Sequence, residues 1–154
     1  ARAREDDAPA RHPVRGVIVL ERPIKFEEVD AAAIVFFARY VGYAHEAMEH
    51  LFGSLLGGYA RLVTTRHVGF PAVHVEVSYA QPARYGDVLR IETTTARLGT
   101  RSFVLRYRML NAATSALVAE VKHTVVTSDL RAMKSIDMPD DVRAVLTLHL
   151  EPAS

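Results

Sequence analysis

Four stretches of alternating side chains, separated by very short links, constrain this chain more than any other feature. In 71–81, Val73, Val75, Val77 and Tyr79 alternate with His74, Glu76 and Ser78. Leu89, Ile91, Thr93 and Thr95 share a face in 87–97, and Phe103, Leu105, Tyr107 and Met109 share one in 101–110. In 116–127 the same holds for Leu117, Ala119, Val121, His123 and Val125. A period of two is the signature of a strand. The links, Arg84-Tyr85-Gly86-Asp87, Leu98-Gly99-Thr100 and residues 111–115, leave no room for a crossover, so the strands are antiparallel neighbours. Clean alternation predicts one covered face.

The cover comes from further upstream. From about Val35 the pattern changes, and Phe36, Tyr40, Tyr43, Ala47 and Leu51 recur at spacings of three and four, which is one helix face. Gly53, Gly57 and Gly58 end that helix and permit a turn or a short second helix. Residues 17–29 read as a first strand, with Pro23 placing it at an edge or a bulge. Met138-Pro139-Asp140-Asp141 opens a short final helix. One long helix and one antiparallel sheet pack most economically as an α+β two-layer domain, helix across the curved sheet. The other sheet face and the edges stay open, which invites oligomerisation. Residues 1–15 read as a polar, flexible tail and 16–154 as a single domain, with no internal repeat.

Composition excludes several classes. Hydrophobic residues make up 49% of the chain, enough for a core and too many for disorder. A net charge of +1 calls for neither nucleic acid nor an anionic membrane. Without cysteine there is no disulfide, zinc-thiolate site or thiol nucleophile. No apolar run approaches the roughly 18 residues of a membrane helix. The opening ARAREDDAPARHPVR lacks the apolar core of a secretory signal, so the expected location is the cytoplasm.

Few residues are placed for chemistry. Ser54 in FGSLLGG is not in a nucleophile elbow. His45 and His50 in HEAMEH stand five apart and point about 140° from each other, so this is no zinc helix. His45 and Glu49 share a face, but two ligands are too few for a closed site. The glycines of 53–58 match no phosphate loop. No cofactor or metal is expected. Asp30 remains, a lone acid before the apolar run Ile34-Val35-Phe36-Phe37. It is either a capping or turn aspartate, or a functional carboxylate activated by an apolar setting. The helix beyond it offers free N–H groups that can stabilise an oxyanion.

The segment from Phe26 to Tyr40, FEEVDAAAIVFFARY, resembles the signature of hot-dog-fold acyl-CoA thioesterases of the 4-hydroxybenzoyl-CoA thioesterase family. The resemblance covers about 18–140 and includes Gly69-Phe70-Pro71, Tyr85-Gly86-Asp87-Val88-Leu89 and Arg101-Ser102-Phe103-Val104. It implies an antiparallel sheet wrapped around one long central helix. Asp30 then falls on the catalytic aspartate, nucleophile or general base. Phe37 falls at the helix start, where its N–H would polarise the thioester carbonyl. Tyr40 matches a helix tyrosine of the substrate-binding region. His45 replaces an aspartate that meets the ring hydroxyl in the hydroxybenzoyl member, which separates the chain from that substrate. Ala33 replaces a usual glycine and implies a changed loop. Arg97 and Arg101 flank the turn where the family uses basic residues for coenzyme A phosphates; arginine suits that task, although a solvated hairpin tip would look the same. The family implies a homodimer or homotetramer with the active site at the subunit interface. The function so implied is hydrolysis of an aromatic or short-to-medium acyl-CoA to the acid and CoA. The alternatives are an acyl-carrier-protein thioesterase and a hot-dog protein that binds acyl-CoA without turnover.

Overall fold

The computed structural model describes residues 16–153; the expected polar tail, 1–15, lies outside the described residues. Strand β1 (Ile18–Pro23) is followed by helix α1 (Arg39–Leu51), the short helix α2 (Gly58–Thr64) and strand β2 (Val68–Gly69). Then come β3 (Ala72–Tyr79), β4 (Val88–Leu98), β5 (Ser102–Asn111) and β6 (Leu117–Val126). The chain closes with β7 (Ser128–Asp129), β8 (Lys134–Ser135) and helix α3 (Asp140–Leu148). The main sheet has the order β1-β4-β5-β6-β3, every pair antiparallel. β1 is therefore an edge strand, and Pro23 is its last residue, where a missing N–H costs nothing.

Helix α1 lies across one face of this sheet. Its buried side chains are Tyr40, Tyr43, Ala44, Ala47, Met48 and Leu51, one stripe at helical spacing. They share a core with Leu89, Ile91, Phe103, Leu105, Tyr107, Met109, Val121 and Val125, the faces expected from the alternation of β4, β5 and β6. Phe52, Phe70 and Phe103 close the far end, with neighbouring ring centroids 5.1 Å apart. Each such side chain contributes roughly 1.5–3 kcal/mol by leaving water.

Four expectations need correction. The first strand stops at Pro23, and Phe26–Glu28 form a single 3-10 turn, because the Glu28 carboxylate takes the Lys25 N–H and bends the chain. The long helix begins at Arg39, not near Val35. The N–H groups of Val35 and Phe36 go instead to the carbonyls of Ala83 and Glu28, which keeps that stretch extended. Phe36 is consequently outside the helix and 44% exposed. In β6 the register shifts opposite Met109 and Leu110, so that Val118 is buried with Ala119, while Leu117 is only half-buried. Finally, β3 alternates as cleanly as β5 but covers almost nothing: Val73 is 60% exposed and Tyr79 52%. It pairs only with β6 and forms the open edge of the sheet.

A second, three-stranded sheet, β2-β7-β8, has strands of two residues each, too short for periodicity to show. The C-terminal segment pairs with β4 beyond the first residue of β1: Ile18 stands opposite Thr93, and Thr95 bridges to Leu150. The Thr95 N–H donates to His149 O, and Glu151 N–H donates to Thr95 O. Glu151 also accepts from Thr94 and Arg106, so one end of the outer sheet face is covered.

Candidate active site

The loop between the 3-10 turn and α1 is built mostly by backbone bonds. Val29 bridges to Val35, Asp30 N–H donates to Ile34 O, Ala33 N–H donates to Asp30 O, and Phe36 N–H donates to Glu28 O. The result is a tight hairpin with Asp30 on its first arm. The Asp30 carboxylate accepts the Ala32 N–H at 2.8 Å, a turn-aspartate bond, so the capping reading of Asp30 is met in this form. The hairpin needs a left-handed residue, and Ala33 supplies it with φ of +63°. Ala33 thus adopts the conformation that glycine favours.

Asp30 is exposed in the single chain, contrary to the enclosed, apolar setting expected for it. Its apolar neighbour Val35 is buried, at 4% exposure, while Ala31 and Ala32 beside it are exposed and leave the turn open to solvent.

Helix α1 starts without a side-chain cap, Ala38 standing at the N-cap. Serine or aspartate there would occupy first-turn N–H groups. Arg39 N–H returns to Phe36 O, and the N–H of Phe37 has no partner among the described residues. The Phe37 carbonyl accepts the Tyr79 hydroxyl at 2.9 Å. That bond ties the helix entrance to the open strand β3. A groove of about 360 Å³ lies here, lined by Ile34, Val35, Phe37, Tyr40, Tyr79 and Pro82 among others. Tyr40 is buried, its ring edge-on to Tyr79 at 5.5 Å, and burial pushes its ionisation up. Asp30 and the Phe37 N–H thus stand on the two arms of one pinned loop, and Phe37 lines an aromatic groove of which Asp30 is not a lining residue.

The other expected residues are more scattered. His45 is half exposed and pairs with Glu49 at 3.2 Å, with Tyr59 edge-on at 6.0 Å. Its ring is near His123 on β6, whose imidazole is held below the usual histidine range by burial and by that neighbour. Arg97 is exposed. Arg101 is committed within the chain: Nε donates to Asp137 at 2.8 Å and the guanidinium also to Ser135. Among the described residues no cluster of three metal-ligating side chains exists, and no helix is long and apolar enough to cross a membrane. Sequence reading missed Tyr79, which looked like one more alternating residue, and missed the Arg22–Glu28 pair at the root of the loop.

The profile of the thioesterase-like superfamily matches residues 24–146. The chain is 28% identical over 121 residues to the 1,4-dihydroxy-2-naphthoyl-CoA hydrolase of Nostoc punctiforme, covering 79% of this chain and 80% of that one. The enzyme of the same name from Synechococcus elongatus is 32% identical over 112 residues, 72% and 82% of the two chains. A variant of 4-hydroxybenzoyl-CoA thioesterase, solved with 4-hydroxybenzoyl-CoA, superposes with a TM-score of 0.75 at 26% identity, covering 84% of this chain and 98% of that one. The chain belongs to the thioesterase-like superfamily and has its hot-dog fold. It is an enzyme of the acyl-CoA thioesterase class.

Proposed function

We propose that the enzyme hydrolyses an aromatic or short-to-medium acyl-CoA, with aryl esters preferred, to the free acid and CoA. One observation carries the reading: an exposed carboxylate, Asp30, and an N–H without a partner among the described residues, that of Phe37, stand on the two arms of one braced loop whose Phe37 arm lines an aromatic groove. The names of the relatives, which carry naphthoyl and hydroxybenzoyl groups, favour an aryl acyl group over an aliphatic one.

The thioester carbonyl oxygen accepts the Phe37 N–H, which stabilises the oxyanion as it forms. In the general-base route Asp30 takes a proton from water, and the hydroxide adds to the carbonyl carbon. Collapse of the tetrahedral adduct breaks the C–S bond, and the proton on Asp30 goes to the CoA thiolate. In the nucleophilic route an Asp30 oxygen adds instead, the thiolate leaves, and water cleaves the resulting anhydride. Arg97, exposed at the hairpin tip, would meet the CoA phosphates, with Arg101 joining it if it exchanges Asp137 for phosphate. Tyr40 and His45 would line the acyl side.

Exposed Asp30 and the half-open groove argue for a second copy. The edge of β3 presents Val73, Val75 and Tyr79 to solvent, an apolar edge of the kind that pairs with another strand. A homodimer, or a tetramer made of two, would wall the groove and lower the dielectric around Asp30. The expected working place is the cytoplasm.

A thiol-release assay over benzoyl, hydroxybenzoyl, naphthoyl, phenylacetyl and aliphatic CoA esters tests the proposal. Turnover highest on aryl-CoA is the expected result. Turnover only when the acyl group sits on acyl carrier protein would change the carrier. Binding of every ester, read as melting shifts without thiol release, would leave a non-catalytic protein.

A further inference from the structure

The mechanism above does not use the most deeply buried carboxylate among the described residues. Glu28 is only 4% exposed, and burying a carboxylate is costly unless it is paired. Arg22 of β1 meets it as a fork, Nη1 to Oε1 and Nη2 to Oε2. Oε1 also takes the Lys25 N–H at 2.7 Å. The same guanidinium donates from Nε to Glu46 of α1 at 2.7 Å and lies over the Tyr43 ring, 4.2 Å from its centroid. One side chain therefore ties together β1, the 3-10 turn and α1. Burial alone would raise the Glu28 carboxyl. The Arg22 guanidinium and the Lys25 N–H more than offset this and hold it below the usual range, so the pair stays charged at neutral pH.

The backbone of Glu28 is the root of the active loop. Its carbonyl receives the Phe36 N–H at 3.0 Å. The Val29–Val35 bridge and the Asp30 N–H to Ile34 O bond follow directly. Asp30 is two residues beyond Glu28 on one arm, and Phe37 is one residue beyond Phe36 on the other. Both arms of the loop therefore start from Glu28, so that a shift there is passed on to Asp30 and to Phe37. We propose that the Arg22–Glu28 pair is a positioning device that sets Asp30 against the Phe37 N–H. Stability alone does not account for it, because apolar replacement of a buried ion pair is often neutral or better. What the fork supplies is a fixed direction at the junction of three elements.

The proposal rests on the assigned role of Asp30, and its test separates the two. Glu28→Gln puts an amide donor against the Arg22 donors and breaks the fork at nearly constant volume. Arg22→Lys keeps the charge and loses the planar fork. Either variant, folded by circular dichroism, should lose kcat by about 10- to 100-fold, the scale of a small misplacement of reacting groups, while KM moves by less than about threefold. If Glu28→Gln fails to fold, the pair Arg22→Met with Glu28→Leu restores an apolar junction and is expected to show the same loss of kcat. In the Asp30→Asn background, Glu28→Gln should cost almost nothing further, because the group it positions is already gone. A multiplicative loss in that double variant, or a folded Glu28→Gln with full kcat, overturns the positioning role. Asp30→Asn with a large loss beside an active Glu28→Gln overturns that role alone. An active Asp30→Asn overturns the proposed mechanism as well.

Discussion

The loop at residues 29–38 and the hairpin tip at 97–101 both carry residues proposed to meet the substrate, and they differ in how those groups are held. The loop is over-determined. Backbone bonds brace it from Glu28 to Arg39, Ala33 is held at positive φ, and the Tyr79 hydroxyl fixes the Phe37 carbonyl. The hairpin tip is braced in its backbone but not in its charged side chains. Gly99 N–H returns to Ser102 O, the Thr100 and Arg101 carbonyls accept the Met138 and Thr127 N–H groups, and Arg143 donates to the Gly99 and Thr100 carbonyls, whereas Arg97 is exposed and Arg101 pairs at the surface with Asp137. The difference follows the chemistry each would perform. Transition-state groups gain from being fixed in advance, whereas phosphates can be met by exposed side chains at the surface.

The strongest way to break the comparison is Asp30→Asn. The asparagine oxygen can still accept the Ala32 N–H, so the loop should keep its shape. kcat should fall by on the order of 10²-fold or more, the range of a lost acid or base, with the melting temperature nearly unchanged. Activity within threefold of wild type would remove the loop from the chemistry.

The second test asks whether the loop is complete in one chain. Val75 sits on the open edge, opposite His123 in the β3–β6 ladder, and is 38% exposed. Val75→Glu places a charge on that edge without disturbing the buried core, a device that blocks strand pairing. The assembly measured by sedimentation should shift to the monomer, and kcat/KM should drop by about tenfold or more. A monomer with full activity would show that one chain holds the whole site.

How much of this was legible in the sequence differs between strands of equal pattern. β5 and β3 alternate equally well. Phe103, Leu105, Tyr107 and Met109 are all buried, yet Val73, Val75 and Tyr79 are not, because periodicity names a face and not what covers it. The turn at Asp30 was legible as one of two readings of a lone acid before an apolar run, and the Ala32 N–H bond meets it. The exposure of Asp30 was not legible, since it depends on what packs over the turn. The late start of α1 was hidden for a related reason. Phe36 sits at helical spacing from Tyr40, but its N–H is taken by Glu28 O from outside the helix. The Arg22–Glu28 fork joins residues six apart through a turn, a spacing that matches neither strand nor helix.

The hairpin comparison sharpens with single variants. Arg97→Ala should raise KM for CoA esters several-fold, up to about tenfold, leaving kcat unchanged, the sign of lost uniform binding. The effect should shrink at high salt. Arg101→Ala should move KM less, because binding of phosphate by Arg101 must first release Asp137. It should also cost less than about 1 kcal/mol of stability, as exposed ion pairs do. Equal effects of the two would mean that the Asp137 contact is not a competitor. No effect of either returns both arginines to the solvent.

His45 is expected to have a smaller, selective effect. His45→Ala should lower kcat/KM for hydroxylated aryl esters by about fivefold, near the worth of one hydrogen bond, and leave plain aliphatic esters untouched. A uniform change over the ester series, or none, would take His45 out of the acyl side and leave it as the partner of Glu49.

The smallest effect belongs to the loop again and concerns strain. Ala33 holds a φ of +63°, where a Cβ crowds the following carbonyl at a cost of roughly 1–2 kcal/mol. Glycine removes the crowding but gains freedom in the unfolded chain, which returns about 0.4–1 kcal/mol of that. Ala33→Gly should therefore stabilise the protein by no more than about 1 kcal/mol, a rise of a few degrees in Tm at most. kcat should stay within twofold, because the hairpin bonds from Ala33 N–H to Asp30 O and from Asp30 N–H to Ile34 O are independent of the side chain. A large gain in kcat would instead mean that Ala33 holds Asp30 off its working position. The loop would then be rigid in a shape that is not the reactive one, and its contrast with the hairpin would lose its functional meaning.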